Sequence, residues 1–236
     1  MTNEKLDAEI AATLRGVSTA TVTMQLLKRG YRHVAMRGVL PLKPGQGRVA
    51  GRAYTLRYVP FREDLSTPAV LADPRNSARI AIEECPAGAI YVVDARGKPD
   101  TGIIGDILAE RMKHRGVAGF VTDGGIRDVA GVLAVGLPCW CAGPASPASI
   151  TEHTSADLQV AIGCGDVAVI PGDFIVADDD GAVVIPAALA AEVARDGAEQ
   201  ERMEQWILDQ VKAGRSTQDF YPPGDATRAE WAKLRK

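Results

Sequence analysis

Residues 87–143 read AGAIYVVDARGKPDTGIIGDILAERMKHRGVAGFVTDGGIRDVAGVLAVGLPCWCAG. Three apolar runs, 87–95, 117–125 and 137–143, have the unbroken hydrophobicity of strands buried on both faces. Helix-like stretches separate them, one from about Ile104 to His114 and one over 126–136. Strand and helix in alternation predict the crossover units of an α/β domain, with a β-rich core flanked by helices.

Working outward, residues 1–30 read as helix, with Ser18 and Thr19 able to cap a second turn and Val22, Leu26 and Leu27 forming an apolar stripe that ends at Gly30. GRAYTLRYVP (51–60) reads as a strand and PRNSARIAIEE (74–84) as a short helix. Beyond 143 the character changes. Residues 159–186 carry Gly-Asp and Asp-Gly turns between short apolar runs, which predicts antiparallel hairpins. A long charged amphipathic helix is expected over 187–212. The tail RSTQDFYPPGDATRAEWAKLRK (215–236) is expected on the surface or against a neighbouring subunit. The division expected is one domain over 1–190 and a C-terminal helix and tail over 191–236, reaching between subunits.

Composition narrows the function. Among 236 residues, 27 are basic and 30 acidic, a net charge of −3, and 46% are hydrophobic. A chain this apolar is not disordered. Its slight acidity disfavours a nucleic-acid partner, which needs a basic face. No run approaches the roughly 18 apolar residues of a membrane span, and the N-terminus lacks a signal-peptide pattern. Cys85, Cys139, Cys141 and Cys164 are too irregularly spaced for a disulfide framework or a zinc site and read as reduced core thiols. The expected compartment is the cytoplasm, with no nucleic acid and no membrane as partner.

The reactive groups cluster in Thr122-Asp123-Gly124-Gly125-Ile126-Arg127-Asp128, between a buried strand and a helix. Ligands of open α/β folds collect at the carboxyl ends of strands. Arg127 offers a permanent cationic fork for a carboxylate, and Asp128 a hard oxygen ligand for Mg²⁺ or Mn²⁺. A second loop, Gly102-Ile103-Ile104-Gly105-Asp106-Ile107-Leu108-Ala109, follows the preceding strand in the same way and adds Asp106. Adjacent strands would bring both loops to one rim. There they could hold a 2-oxo acid, with backbone amides and Arg127 on its carboxylate and a divalent ion on Asp128 polarising the keto oxygen. Asp178-Asp179-Asp180-Gly181 reads as a hairpin turn rather than a calcium loop. His33, His114 and His153 read as surface or structural residues, and Arg75 and Arg79 as surface charge. No apolar run contains the lysine a Schiff-base aldolase needs, and no Gly-x-Ser-x-Gly elbow is present.

The motifs Gly105-Asp106-Ile107-Leu108-Ala109, Gly116-Val117-Ala118-Gly119 and Asp123-Gly124-Gly125-Ile126-Arg127-Asp128, continued by GDFIVADDDGAVVIP (172–186), resemble the RraA-like family. Its metal-dependent members are 4-hydroxy-4-methyl-2-oxoglutarate/4-carboxy-4-hydroxy-2-oxoadipate aldolases. The resemblance covers roughly residues 15–190. It implies a class II lyase that releases pyruvate from a 4-hydroxy-2-oxo acid and also decarboxylates oxaloacetate. It implies that the backbone of Gly105, Asp106, Ile107 and Leu108 binds the pyruvyl moiety, that Arg127 binds substrate, and that Asp128 ligates Mg²⁺ or Mn²⁺. Asp106 matches an acidic position that holds metal-bound water. A glutamate from a neighbour's C-terminal helix completes the family site; Glu204 is the match taken here, with Glu201 and Glu199 as alternatives. The implied assembly is a homotrimer or homohexamer. The family also has a non-catalytic branch of ring-shaped proteins that bind and inhibit ribonuclease E, and this is the rival reading.

Overall fold

In the computed structural model, which describes residues 3–234, the chain opens with helices α1 (Asn3–Leu14) and α2 (Thr19–Lys28). The helix expected over 1–30 is thus broken at Gly16, and Ser18 caps α2 by accepting the Thr21 amide at 3.1 Å. Strands β1 (Leu40–Pro41) and β2 (Val49–Pro60) come next, then helices α3 (Pro68–Ala72) and α4 (Ser77–Glu84). The central stretch gives β3 (Ile90–Asp94), α5 (Asp106–His114), β4 (Gly119–Thr122), β5 (Gly125–Ile126), α6 (Val129–Val135), β6 (Cys139–Cys141) and β7 (Gly143–Pro144). It is followed by β8 (His153–Leu158), β9 (Ile162–Cys164), β10 (Val167–Val169), β11 (Phe174–Asp178) and β12 (Gly181–Ile185). Helices α7 (Ala190–Lys212) and α8 (Asp225–Leu234) complete the chain.

The main sheet runs β1-β6-β4-β3-β2-β11-β12. Strands β2, β3, β4 and β6 are parallel, as the crossover pattern requires, while β9–β10 and β11–β12 are the expected antiparallel hairpins. The spine is β2. Its middle pairs with β3 along one edge, and its two ends pair with β11 and β8 along the other. This switch of partners curls the sheet until β1 lies beside β12, leaving it nearly closed.

Successive strand residues point to opposite faces, and here both faces are dry. Ile90, Val92, Val121, Trp140, Ile175 and Val184 fill the inside, plugged by Ile162, Cys164, Val167 and Val169 of the β9–β10 hairpin. Tyr91, Val93, Phe120 and Cys139 face outward, into a layer with α4, α5 and α6. Phe174, Val176, Val183 and Ile185 face α1, α2 and α7 on another flank. Two-sided burial is why these strands read as continuous apolar runs. The four cysteines are free and buried, and burial pushes the thiols of Cys85 and Cys139 up to about 12.

Within the chain, the C-terminal segment packs against the N-terminal helices. The inner face of α7 (Ala190, Val193, Ala194, Gly197) covers α1 and α2. The tail folds back as α8, and Trp206, Met203, Ile207, Phe220 and Trp231 form a small separate cluster. The Trp231 indole donates to Glu199 at 3.0 Å.

Asp178 ties these layers together. It sits at the β11–β12 hairpin, only 8% exposed. It accepts the Thr19 amide at 2.9 Å, the Thr19 hydroxyl at 2.6 Å and Arg48 Nε at 3.0 Å. Burial alone would raise its pKa, but these donors and the Asp180 amide bring it below the ordinary carboxylate value. A lowered acid pKa stabilises the fold above the unfolded value, about 3.9, and that contribution is lost as pH falls through the lower folded value. Asp178→Asn should therefore cost about 2–3 kcal/mol at neutral pH, measured by urea unfolding, and the gap to wild type should shrink as pH drops below about 4. A gap unchanged from pH 7 to pH 2.5 would contradict this.

Candidate active site

The parallel pairing of β3 with β4 puts the loops after them at one rim, where they interlock backbone to backbone. Gly102 pairs with Gly125 in an isolated parallel bridge. The Ile103 amide donates to the Gly125 carbonyl at 2.8 Å, the Gly125 amide to Thr101 at 3.0 Å and the Arg127 amide to Ile104 at 3.1 Å. Only glycine fits at several of these crossings. A Cβ on Gly102 would lie 2.8 Å from the Arg127 backbone nitrogen, and one on Gly125 would lie 2.6 Å from the Pro99 carbonyl. The expected helix over 126–136 is shorter for the same reason. Gly125 and Ile126 pair with β7, and α6 starts only at Val129.

Asp128 stands at that start with φ 52° and ψ 41°, the left-handed region that a non-glycine residue enters at a cost. Its carboxylate makes no capping hydrogen bond. It lies half-exposed beside Gly105, where an added Cβ would come within 2.5 Å of Oδ2. Arg127 Nε is 3.4 Å from that same oxygen but is buried without a hydrogen-bond partner among the described residues. Asp106 opens α5, folds back to accept the Ile107 amide at 2.8 Å, and lies against Gly131 of α6. The amides of Gly105, Asp106 and Leu108 have no acceptor among the described residues, as at the start of any helix. The first turn of α5 thus presents donors and a positive dipole end to the rim.

An open cleft of about 460 Å³ is lined by Ile126, Arg127, Asp128 and Val129 and by the neighbouring Pro144, Ala145 and Ser146, whose strand β7 pairs with β5. The side chain of Ile107 is 80% exposed at the rim. Five of the expected residues (Gly105, Asp106, Leu108, Arg127, Asp128) therefore gather at one edge of the sheet, with Ile107 pointing outward.

Glu204 is not among them within the chain. It lies on α7, whose packing partners are α1 and α2, and accepts Gln200 Nε2 at 2.8 Å. The alternatives are more occupied. Glu201 accepts the Ser18 amide at 2.8 Å; burial would raise its pKa, but the Ser18 and Thr21 donors bring it below the usual range. Glu199 is held by Trp231 and Arg202.

Asp123, inside the reactive motif, has a structural task. It accepts the amides of Ala95 at 2.7 Å, Gly97 at 2.9 Å and Gly165 at 3.3 Å. Burial raises its pKa against the opposing pull of these amides. His153 is structural too: it is 2% exposed and bound on both ring nitrogens. His33, His114 and Arg75 are at the surface.

Hard carboxylate oxygens suit a hard divalent cation. Among the described residues no three His, Cys, Asp or Glu side chains gather into a cage. One chain offers Asp128 with Asp106 nearby, and one or two carboxylates are what Mg²⁺ takes when it keeps water and substrate oxygens as its other ligands. An uncapped carboxylate in a strained backbone and an orphaned buried guanidinium nitrogen fit a cation and an anion bound side by side.

Residues 16–184 match the family model described as RraA-like, Aldolase/RraA. A Halalkalibacterium halodurans protein named "Putative 4-hydroxy-4-methyl-2-oxoglutarate aldolase" is 37% identical over 140 residues. That match covers 58% of this chain and 66% of the relative, so it spans just under two thirds of that protein. Streptomyces coelicolor RraAS2, described as an unusual member of the RNase ES inhibitor RraA protein family, superposes with a TM-score of 0.74 at 37% identity, covering 85% of this chain and 96% of that one. An uncharacterized Pseudomonas syringae protein shares the fold, with a TM-score of 0.77 at 24% identity over 90% of this chain and 96% of the other. No helix among the described residues is long and apolar enough to cross a membrane. The sequence match and the shared architecture lead to one conclusion: the chain belongs to the RraA-like family.

Proposed function

We propose that the protein is a divalent-metal-dependent carbon–carbon lyase. It cleaves a 4-hydroxy-2-oxo acid between C3 and C4 to pyruvate and a second carbonyl compound, and it decarboxylates oxaloacetate. The observation that carries this reading is the pairing of Arg127 and Asp128 at the rim, one orphaned donor beside one uncapped carboxylate, facing the open amides of α5.

In this reading Arg127 and the amides of Gly105, Asp106 and Leu108 hold the substrate carboxylate, since charge-assisted bonds to such donors fix both position and orientation. Asp128, with Asp106 close by, would hold Mg²⁺ or Mn²⁺. When bound, such an ion supplies Lewis-acid stabilisation of the negative charge that collects on the 2-oxo oxygen as the bond breaks. Asp106 holds the proton-transfer position, its carboxylate fixed by the Ile107 amide. Oxaloacetate fits the same site because its loss of CO₂ leaves the same pyruvate enolate. Ile107 and the Pro144–Ser146 wall border the departing fragment. The site is completed in a homotrimer or homohexamer by Glu204 of a neighbouring copy. Its neutral partner Gln200 leaves it more available than Glu199 or Glu201.

The second reading, a ring-shaped regulator that binds a ribonuclease, is favoured by the likeness to RraAS2. The two separate on ligand linkage, because only a ligand bound to the folded state raises its stability. Pyruvate or oxalate with Mg²⁺ should raise the melting temperature of the enzyme and leave a pure scaffold unmoved.

Asp128→Ala should remain folded and lose at least about 100-fold in turnover, read as pyruvate release. Unaltered turnover would remove Asp128 from the site. Arg127→Ala should weaken oxalate binding by about 2–3 kcal/mol and Mg²⁺ binding by much less, measured by calorimetry; equal losses would mean the carboxylate clamp lies elsewhere. Gly105→Ala keeps an allowed backbone at φ −123° but drives a methyl into Asp128 Oδ2. It should leave the unfolding midpoint nearly unchanged while lowering metal affinity, and unchanged affinity would dissolve the link between the two loops.

A further inference from the structure

We infer that His153 is a positioning residue for the proposed reaction, a buried clamp that sets the loop carrying Gly105 and Asp106. The inference rests on the lyase reading for its functional consequence and on geometry for the clamp itself. His153 begins β8, is 2% exposed, and its ring packs against Tyr58 with centroids 5.1 Å apart. Nε2 lies 2.9 Å from the Ala95 carbonyl oxygen, and Nδ1 lies 3.2 Å from the Thr101 hydroxyl. A carbonyl oxygen only accepts, so Nε2 carries the proton, and in the neutral ring Nδ1 accepts from Thr101. The ring therefore grips both ends of the 95–101 excursion.

The grip reaches the site through the backbone. The Thr101 carbonyl accepts the Gly125 amide, the Gly125 carbonyl accepts Ile103, and the Ile104 carbonyl accepts Arg127. The Gly102 amide meanwhile donates to Pro147 at 2.8 Å, joining the same segment to the chain that follows β7. The preceding peptide is held as well, since Asp123 accepts the Ala95 amide at 2.7 Å. His153 and Asp123 thus fix the root of the loop whose far end presents Gly105, Asp106 and the first amides of α5. A small shift at this root displaces the carboxylate-binding donors relative to Asp128, and misplacement by about 1 Å can cost on the order of 100-fold in rate.

The test uses three full-length variants. Thr101→Val removes only the hydroxyl. His153→Gln keeps an amide donor able to reach the Ala95 carbonyl. His153→Phe fills the space with no hydrogen bond. We expect His153→Phe to stay folded and raise KM for pyruvate-forming substrates about tenfold or more, with Thr101→Val intermediate and His153→Gln recovering part of the loss. Amide hydrogen exchange at Gly102, Ile103, Gly125 and Arg127 should accelerate in the same order. The ¹⁵N spectrum of wild-type His153 should show the proton on Nε2. A Phe variant with wild-type KM and wild-type exchange would overturn the inference, as would a proton on Nδ1. If the wild type releases no pyruvate, the lyase reading falls by itself, and unchanged exchange in the Phe variant would then overturn the clamp separately.

Discussion

The site depends on one steric constraint: two backbone segments, 101–105 and 124–128, cross closely enough that several of their residues can only be glycine. Gly102 lies against the Arg127 backbone, Gly124 against Ala95 and Ile103, and Gly125 against the Pro99 and Thr101 carbonyls, whereas Gly105 meets only the end of the Asp128 side chain. The close approach allows short amide-to-carbonyl bonds between the loops, and these bonds fix Arg127 and Asp128 relative to the first turn of α5. The left-handed backbone of Asp128 follows from the same crossing, because the chain must turn from β5 into α6 within two residues. Strain of this kind persists only where the surroundings over-determine it. Here the surroundings are a ladder on one side and a buried helix face on the other.

The nearly closed sheet supplies the rigid base. Strands buried on both faces cannot slide by one residue without driving an entire apolar set into the wrong layer. The ends of β3 and β4 are therefore fixed in height, and so are the loops they carry. Trp140 fills the interior and donates to the Asp178 carbonyl at 2.7 Å, linking β6 to the β11–β12 hairpin across the seam of the curl. Asp178 in turn holds the start of α2, and Glu201 on α7 holds the amide next to it. The C-terminal helix is thus part of the same mechanical unit as the sheet. Its distal half departs from the barrel and carries its own cluster with α8.

Much of this was legible in the sequence, and the exceptions share a cause. The buried strands and the hairpins were readable because period and turn chemistry are local signals. The meeting of Gly105-Asp106 with Arg127-Asp128 was readable because parallel neighbours place their following loops at one rim. What stayed hidden depends on distant partners. The role of Asp123 is set by Ala95, 28 positions away, and that of His153 by Ala95 and Thr101, 58 and 52 positions away. Strand β8 leaves little signal in the sequence, because only its first two residues are buried and its alternation is weak. Helix α8 looks polar in the sequence because its apolar contribution is chiefly one indole, Trp231, whose partner Trp206 lies on another helix. Two-residue strands such as β5 and β7 have no sequence signature apart from their pairing.

The proposed activity needs a cation-assisted site for 2-oxo acids at the rim of β3 and β4. The most direct test is pyruvate release from oxaloacetate and from 4-hydroxy-4-methyl-2-oxoglutarate, with Mg²⁺, Mn²⁺ or EDTA, corrected for the rate with metal alone. Protein-dependent release from at least one substrate, abolished by EDTA and restored by added metal, is the expected result. Release that persists undiminished in EDTA, or no release from either substrate, would contradict it.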